Sequence, residues 1–121
     1  MMNASEHQHQ SALIQWAELM ESKYPELKLL HAIPNGGKRD VIGAVNLKRE
    51  GVKPGVPDLF LPVARGEYHG LFIELKTETG KASTEQLIWI DELIEQKYCA
   101  TVCHGWGSAA KTIEWYMRMK K

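Results

Sequence analysis

The sequence has few cysteines, no long hydrophobic run and no excess of either charge. Only two cysteines occur among 121 residues, too few for a disulfide-stabilised scaffold. No apolar stretch in the sequence approaches the roughly 20 residues that a membrane-spanning helix needs. The composition, 44% hydrophobic and 25% charged, is typical of an ordinary globular domain. These absences favour a globular domain with its own core over a membrane protein or a small disulfide-rich module.

The two cysteines, Cys99 and Cys103, lie four positions apart in a segment that has the character of a strand. On a strand they would share one face at roughly 13 Å, which is too far for a disulfide. Residues 1–10 are polar and lack the apolar centre of a signal peptide. We therefore expect reduced thiols in a cytoplasmic protein.

The histidines do not form the pattern of a metal site. His7 and His9 are two positions apart on a predicted helix and would diverge, and the other three are scattered. No Cys/His spacing suggests zinc. We therefore expect no zinc site of the Cys/His type.

The length predicts one domain, residues 1–121, with no room for a separate DNA-binding module. The net charge is zero, which at first argues against a nucleic-acid partner. The charge is unevenly distributed, however, because residues 31–53 carry a net +3, residues 54–99 a net −4 and residues 100–121 a net +3. An acidic centre between basic segments suits a site where carboxylates hold cations and lysines or arginines hold phosphates, although ordinary solvated surface charge would look similar.

Periodicity predicts a mixed arrangement of helices and strands. Apolar residues recur at helical spacing through 5–24, and Pro25 ends that segment. Alternating or buried apolar runs predict strands, with the second and third joined as an antiparallel hairpin. Together the elements predict an α/β fold, a central sheet flanked by helices. The predicted helices are 5–24, 40–49, 83–97 and 108–119, and the predicted strands are 27–33, 58–61, 71–75 and 100–103.

Charged side chains occupy two neighbouring strands of this scheme. Asp58 opens one strand, and Glu74 and Lys76 lie two apart on the next. Because strand side chains alternate between faces, Glu74 and Lys76 should share one face while the apolar residues between them take the other. Carboxylates at the polar end of a buried sheet destabilise the fold unless something binds there. A divalent metal beside a phosphate would suit this site, and the matching chemistry is phosphodiester hydrolysis.

The residues around these acids resemble a known nuclease family. Pro57-Asp58 followed by Glu74-Leu75-Lys76 is similar to the PD-(D/E)XK signature, which is weak by itself. The Gly-Val-Pro-Asp block at 55–58 and the Gly-Leu-Phe-Ile-Glu-Leu-Lys block at 70–76 resemble the VRR-NUC branch, especially its short stand-alone phage and bacterial members. The resemblance runs from about residue 6 to the last helix. It implies a restriction-endonuclease-like core with a mixed central sheet, and DNA as the substrate.

The resemblance assigns roles to the residues of the motif. Asp58 and Glu74 are expected to bind Mg²⁺ or Mn²⁺, since such ions take hard oxygen ligands and often only one or two carboxylates. The backbone carbonyl of Leu75 is implied as a further ligand. Lys76 is expected to contact the attacking water or the phosphate, either as a cation that stabilises charge or as a general base. Solvated acids and a lysine at strand ends are the simple alternative.

Two further residues are implied, each with a structural alternative. Glu6 extends the apolar stripe of the first helix and is expected to face inward and reach the metal; alternatively it is an acid favoured by the helix dipole. Gln86 is expected to line the site, yet Ser83-Thr84-Glu85-Gln86 also fits a capping box, in which Gln86 reaches back to Ser83.

Basic residues before the metal motif are candidates for DNA phosphate contacts, which position a substrate without reading its sequence. Asn35 belongs with this group, although its Pro-Asn-Gly-Gly turn forms for its own conformational reasons. The candidate set is Asn35, Lys38, Arg39, Lys48, Arg49 and Lys53.

The sequence therefore predicts a metal-dependent DNA endonuclease. The resemblance implies that short members form homodimers and cut branched DNA such as four-way junctions, and a two-fold dimer would place two sites symmetrically on such a substrate. One alternative is a sequence-specific restriction-type endonuclease, which would need base-edge readers that a chain of this length does not obviously reserve. A second alternative is a non-catalytic module that binds DNA structures.

Overall fold

The first helix begins at a capping box and ends in a tightened turn. In this computed structural model, which describes residues 4–34 and 41–121, helix α1 spans Glu6–Leu19. Its N-cap Ser5 and its third residue Gln8 exchange hydrogen bonds of 3.1 and 2.8 Å. A short 3₁₀ segment, Met20–Ser22, follows the helix. The predicted helix is thus confirmed, although its last turn is 3₁₀ rather than α.

The strand predicted at 27–33 is wrong over most of its length. Pro25–Leu29 is a 3₁₀ helix, and strand β1 is only His31–Ala32. Proline fixes φ near the helical value and suits the first turn of a helix, where its missing N–H is not needed. The Leu27 side chain is buried, and the segment that carries it is this 3₁₀ helix rather than a strand. An apolar run after a proline was therefore compatible with both conformations, and local hydrogen bonding selected the 3₁₀ helix.

The central sheet has four strands in the order β1-β2-β3-β4. Strand β2 is Leu59–Leu61, β3 is Leu71–Lys76 and β4 is Cys99–His104. Strands β1 and β2 and strands β2 and β3 pair antiparallel, whereas β3 and β4 pair parallel. The predicted hairpin of β2 and β3 and the predicted mixed sheet are therefore confirmed.

Three more α-helices lie in the described part of the chain. Helix α2 is Val41–Arg49, α3 is Thr84–Glu95 and α4 is Trp106–Met117. Helix α3 lies between β3 and β4 in sequence, as the crossover of a parallel strand pair requires. None of the helices in the described parts of the chain is long and apolar enough to span a membrane.

The main core lies on one face of β3. Side chains of Leu71, Ile73 and Leu75 are each about 1% exposed and belong to one cluster with residues of α1 and α4. Helices α1 and α4 contact each other and β3. Full burial of one such side chain is worth roughly 1.5–3 kcal/mol, so this face anchors the strand that carries the predicted site.

Candidate active site

Every side chain of β3 is buried, including the two charged ones. Glu74 is 1% exposed and Lys76 is 8% exposed. The Lys76 Nζ atom lies 3.4 Å from Glu74 Oε2. The expected alternation of faces therefore brings these two side chains together. The alternative that these two side chains are solvated charges at the end of a strand therefore does not hold.

Asp58 is fixed by the two strands beside it. Its Oδ2 atom accepts a hydrogen bond of 2.8 Å from the backbone N–H of Leu75. Its own carbonyl oxygen accepts one of 2.8 Å from the N–H of Ile33, just after β1. The half-buried Asp58 carboxylate is thus held beside Glu74 on the sheet, as the sequence predicts.

The environment of Glu74 disfavours its negative charge. Burial is the largest cause that raises the pKa of Glu74, followed by the Asp58 carboxyl beside it, and together they bring the pKa to about 8 despite the opposing effect of Lys76. Glu74 Oε1 is buried and finds no hydrogen-bond partner among the residues described. Such an acid requires either a proton or a cation.

Gln86 makes the contacts expected from both of the alternatives that the sequence left open. Its Oε1 atom accepts a hydrogen bond of 2.8 Å from the N–H of Ser83, and Ser83 Oγ accepts one of 3.1 Å from the Gln86 N–H, which completes a capping box. Its Nε2 atom donates at 3.1 Å to Glu74 Oε2. The capping box therefore aims the free amide group of Gln86 at the buried carboxylate.

The arrangement fits a hard divalent cation. Within residues 4–34 and 41–121, no group of three or more His, Cys, Asp or Glu side chains could hold a metal, and Asp58 and Glu74 are the carboxylates that lie together here. Magnesium commonly uses one or two carboxylates and fills its other positions with water and phosphate. The unpartnered Glu74 oxygen beside Asp58 is the observation that favours such an ion.

The inward orientation expected for Glu6 is wrong. Glu6 is the first residue of α1 and its side chain is exposed. The buried stripe of this helix consists of His9, Leu13 and Ala17 instead. Glu6 lies one turn ahead of that stripe, where the helix no longer packs against the core. Its contribution to the metal site stays a prediction.

The sequence reasoning missed the burial of His9. The signal was present, because His9, Leu13 and Ala17 are spaced by four residues and so lie on one helical face. His9 was considered only as a possible metal ligand, so its burial was not predicted.

The candidate DNA contacts are only partly described. Lys48 and Arg49, in the last turn of α2, and Lys53 are exposed, which suits contact with phosphates. Asn35, Lys38 and Arg39 lie outside the described residues. Phosphate binding by any of these residues stays a prediction.

Comparisons with known proteins place this geometry in a family context. A family model described as the VRR-NUC domain matches residues 1–106. A solved structure described as a VRR_NUC domain protein has 30% sequence identity to this chain and a TM-score of 0.86. That match covers 100% of this chain and 94% of the other. A search of curated proteins found no match. The family match includes Asp58, Glu74 and Lys76, and the structural match extends the shared fold through α4.

Proposed function

The chain belongs to the VRR-NUC domain family, and on that premise we propose that it is a metal-dependent DNA endonuclease that hydrolyses phosphodiester bonds. The family is one of nucleases, which makes DNA the expected substrate. The observation that carries the proposal is the pair of half-buried Asp58 and buried Glu74, with one Glu74 oxygen unpartnered among the described residues and Lys76 beside the other. These are the charges that phosphodiester hydrolysis needs in one place.

Asp58 and Glu74 would hold Mg²⁺ or Mn²⁺, and the backbone carbonyl of Leu75 would complete the protein's share of ligands. A bound divalent ion would polarise the scissile phosphate and lower the pKa of a water molecule. The hydrogen bond from the Leu75 N–H to Asp58 keeps one carboxylate in place. The Gln86 amide does the same for Glu74. Both carboxylates are therefore oriented before any ligand arrives, which lowers the cost of binding.

Lys76 would act as a cation that stabilises negative charge on the phosphate. Its ammonium group lies against Glu74 Oε2 and its side chain is almost wholly shielded from water. A charge in such surroundings acts more strongly on a nearby phosphate than it would in bulk water. The contact with a carboxylate favours this role over that of a general base.

We propose further that the enzyme is a homodimer selective for branched DNA. The family resemblance motivates this proposal, and α3 offers a surface for a second copy. Leu87, Ile88 and Ile94 on this helix are 48%, 54% and 51% exposed, and such a cluster of large apolar side chains is typical of interaction surfaces. On this proposal, DNA is selected by shape through phosphate contacts rather than by base sequence.

A cytoplasmic location forms part of the same proposal. Cys99 and Cys103 are both free thiols, one half-buried and one buried. Free thiols are usual in reducing compartments, where glutathione and thioredoxin keep them reduced.

The test is cleavage of a labelled four-way junction, a flap and a linear duplex, each with Mg²⁺, Mn²⁺ or EDTA. Wild-type protein is compared with Lys76→Ala and with Lys111→Ala, a control that removes an exposed lysine from α4. We expect paired symmetric cuts in the junction, lost with EDTA and with Lys76→Ala but kept with Lys111→Ala.

Other outcomes would redirect the proposal. Equal cutting of all substrates would keep the chemistry and remove the shape selectivity. Discrete bands from plasmid DNA would favour a restriction-type endonuclease. Tight junction binding without cleavage in either metal would leave a non-catalytic DNA-binding module.

A further inference from the structure

A buried histidine lies close to the end of β3, the strand that carries Glu74 and Lys76. His9 is only 6% exposed, although it belongs to a helix whose first turns are otherwise polar. Its Nδ1 atom accepts a hydrogen bond of 3.1 Å from the backbone N–H of Trp106, the first residue of α4. A backbone N–H can only donate, so Nδ1 must be unprotonated and the ring proton must sit on Nε2.

His9 acts as the missing cap of α4. The N-cap residue of that helix, Gly105, has no side chain and makes no side-chain capping hydrogen bond. The first N–H groups of a helix need acceptors, which usually come from the N-cap side chain. Here an acceptor comes from a residue 97 positions away in sequence, on α1. The start of α4 is thereby fixed to α1.

The capped junction in turn holds the backbone of Lys76. The N–H of Gly105 donates a hydrogen bond of 2.7 Å to the carbonyl oxygen of Lys76, the last residue of β3. Gly105 has a φ of +88°, a backbone conformation that residues other than glycine rarely adopt. The junction therefore has little freedom to shift without moving Lys76.

A second contact joins His9 to the turn that follows Lys76. A backbone hydrogen bond of 3.2 Å from Gly80 to Thr77 closes this turn, which contains Glu78. The buried Nε2 atom of His9 has no hydrogen-bond partner within the described chain, and Glu78 Oε2 lies 3.7 Å from it. A Cβ atom on Gly105 would come within 3.3 Å of Glu78 Oε1 and 3.6 Å of His9 Cε1. At the end of β3, one packed unit is thus formed by His9, Glu78 and Gly105.

We infer that His9 is a positioning residue for Lys76, acting through the backbone of Trp106 and Gly105. The inference rests on the proposed function, since it concerns the lysine that this function assigns to catalysis. Lys76 Nζ must stay near Glu74 and the phosphate, and an error of about 1 Å in such a group can cost about a hundredfold in rate. Fixing the last residue of β3 from α1 and α4 limits that error.

The test compares three substitutions of His9. In His9→Asn the side-chain oxygen can occupy the place of Nδ1 and accept from Trp106. In His9→Gln the amide instead reaches the place of Nε2, and His9→Ala removes both atoms. We expect His9→Ala and His9→Gln to lower kcat by about tenfold or more with little change in the KM for DNA, and His9→Asn to restore most of kcat.

Two control variants separate positioning from loss of stability. His7→Ala changes an exposed histidine of the same helix and should leave kcat unchanged. Leu27→Ala destabilises the core from another segment and should leave the kcat of the folded fraction unchanged. Equal kcat in wild type and His9→Ala, or equal losses in His9→Ala and Leu27→Ala, would overturn the inference.

A readout independent of cleavage is the tautomer of His9, measured by ¹⁵N NMR of the imidazole. We expect an unprotonated Nδ1 and a protonated Nε2, and a ring protonated on Nδ1 would overturn the inference. If wild-type protein cuts no DNA while this tautomer is found, the proposed function fails and the capping contact stands. If wild type cuts DNA in a Lys76-dependent manner and the His9 variants have the same kcat as wild type, only the positioning role fails.

Discussion

Helices α1 and α3 begin with the same capping box and yet have different uses. In α1, Ser5 and Gln8 exchange hydrogen bonds of 2.8 and 3.1 Å; in α3, Ser83 and Gln86 exchange bonds of the same two lengths. Gln86 makes a further bond, from Nε2 to Glu74 at 3.1 Å. Within the part of the chain that the structure describes, the exposed Gln8 makes no corresponding bond. Identical local motifs thus acquire different functions from the strand that lies beside them.

The capping box leaves part of the glutamine free for such a use. Glutamine at the third helical position needs only its oxygen to accept from the N-cap N–H. Its NH₂ group stays available as a donor. In α3 this group faces a buried carboxylate on β3, the strand that precedes the helix. The box therefore determines where the amide points, and the fold determines what it meets.

Substitution of Glu74 should reduce DNA cleavage more than any other change, because it removes the carboxylate that accepts a hydrogen bond from Gln86. That contact distinguishes the capping box of α3 from that of α1. Glu74→Ala should lower DNA cleavage by about a hundredfold or more while DNA binding survives. Cleavage assays and binding titrations on the same junction would measure both. In the Glu74→Ala background, a further Gln86→Ala change should cost no more stability than Gln8→Ala does. Retained cleavage in Glu74→Ala would contradict the active-site assignment.

The pH dependence of the free energy of unfolding should show that Glu74, which accepts a hydrogen bond from the Gln86 amide, is an acid that titrates. The pKa of Glu74 is raised from 4.5 to about 8 by burial and by Asp58. Below pH 4.5 the carboxyl is protonated in both states, and between the two values only the unfolded chain loses the proton. Its contribution to the free energy of unfolding should therefore fall as pH rises towards 8, with a limiting slope of about 1.4 kcal/mol per pH unit.

Urea unfolding in EDTA at a series of pH values would measure this contribution. Glu74→Gln keeps the size of the side chain and cannot ionise, so its difference from wild type isolates the single group. We expect the stability of wild type relative to Glu74→Gln to decline from pH 5 to pH 8, a range within the interval between the two pKa values. Parallel curves for the two proteins would show that Glu74 is not the buried acid described here.

Much of this site could be predicted because it depends on strand periodicity. Alternation along β3 placed Glu74 and Lys76 on one face, and their separation of 3.4 Å agrees. The hairpin of β2 and β3 followed from a turn between two apolar runs, and it brings Asp58 next to Glu74. Both results need only the sequence of neighbouring segments.

The rest depends on tertiary packing that no local pattern contains. The sequence presented capping and site lining by Gln86 as alternatives, because the distance from Gln86 to Glu74 is set by how α3 lies on the sheet. Glu6 was predicted to face inward, and the burial of His9 was not predicted, for a related reason: the stripe of α1 was clear, but the residue at which the core ends was not. Pro25 allowed both a strand and a 3₁₀ turn after it.

Paired removal of the two glutamines should give an intermediate effect. Gln8→Ala and Gln86→Ala each remove one capping hydrogen bond, worth about 0.5–1.5 kcal/mol. Only Gln86→Ala also removes the donor to Glu74, so only this variant should lower cleavage, by about tenfold or more. Cleavage rates at saturating DNA, with unfolding free energies for both variants, would test this. Equal cleavage by the two variants would make Gln86 a cap and nothing else.

The smallest effect is expected from the serines, where the two helices should behave alike. Ser5→Ala and Ser83→Ala each remove the oxygen that accepts from the third residue of its helix, at a cost of about 1 kcal/mol. Among the described residues neither serine is hydrogen-bonded to Glu74, so we expect any loss of cleavage in Ser83→Ala to come from movement of Gln86 once its capping box is opened. Unfolding free energies should therefore match, and a modest fall in kcat should be confined to Ser83→Ala. If kcat does not fall, packing alone holds the Gln86 amide on Glu74, and the box contributes stability to α3 as it does to α1.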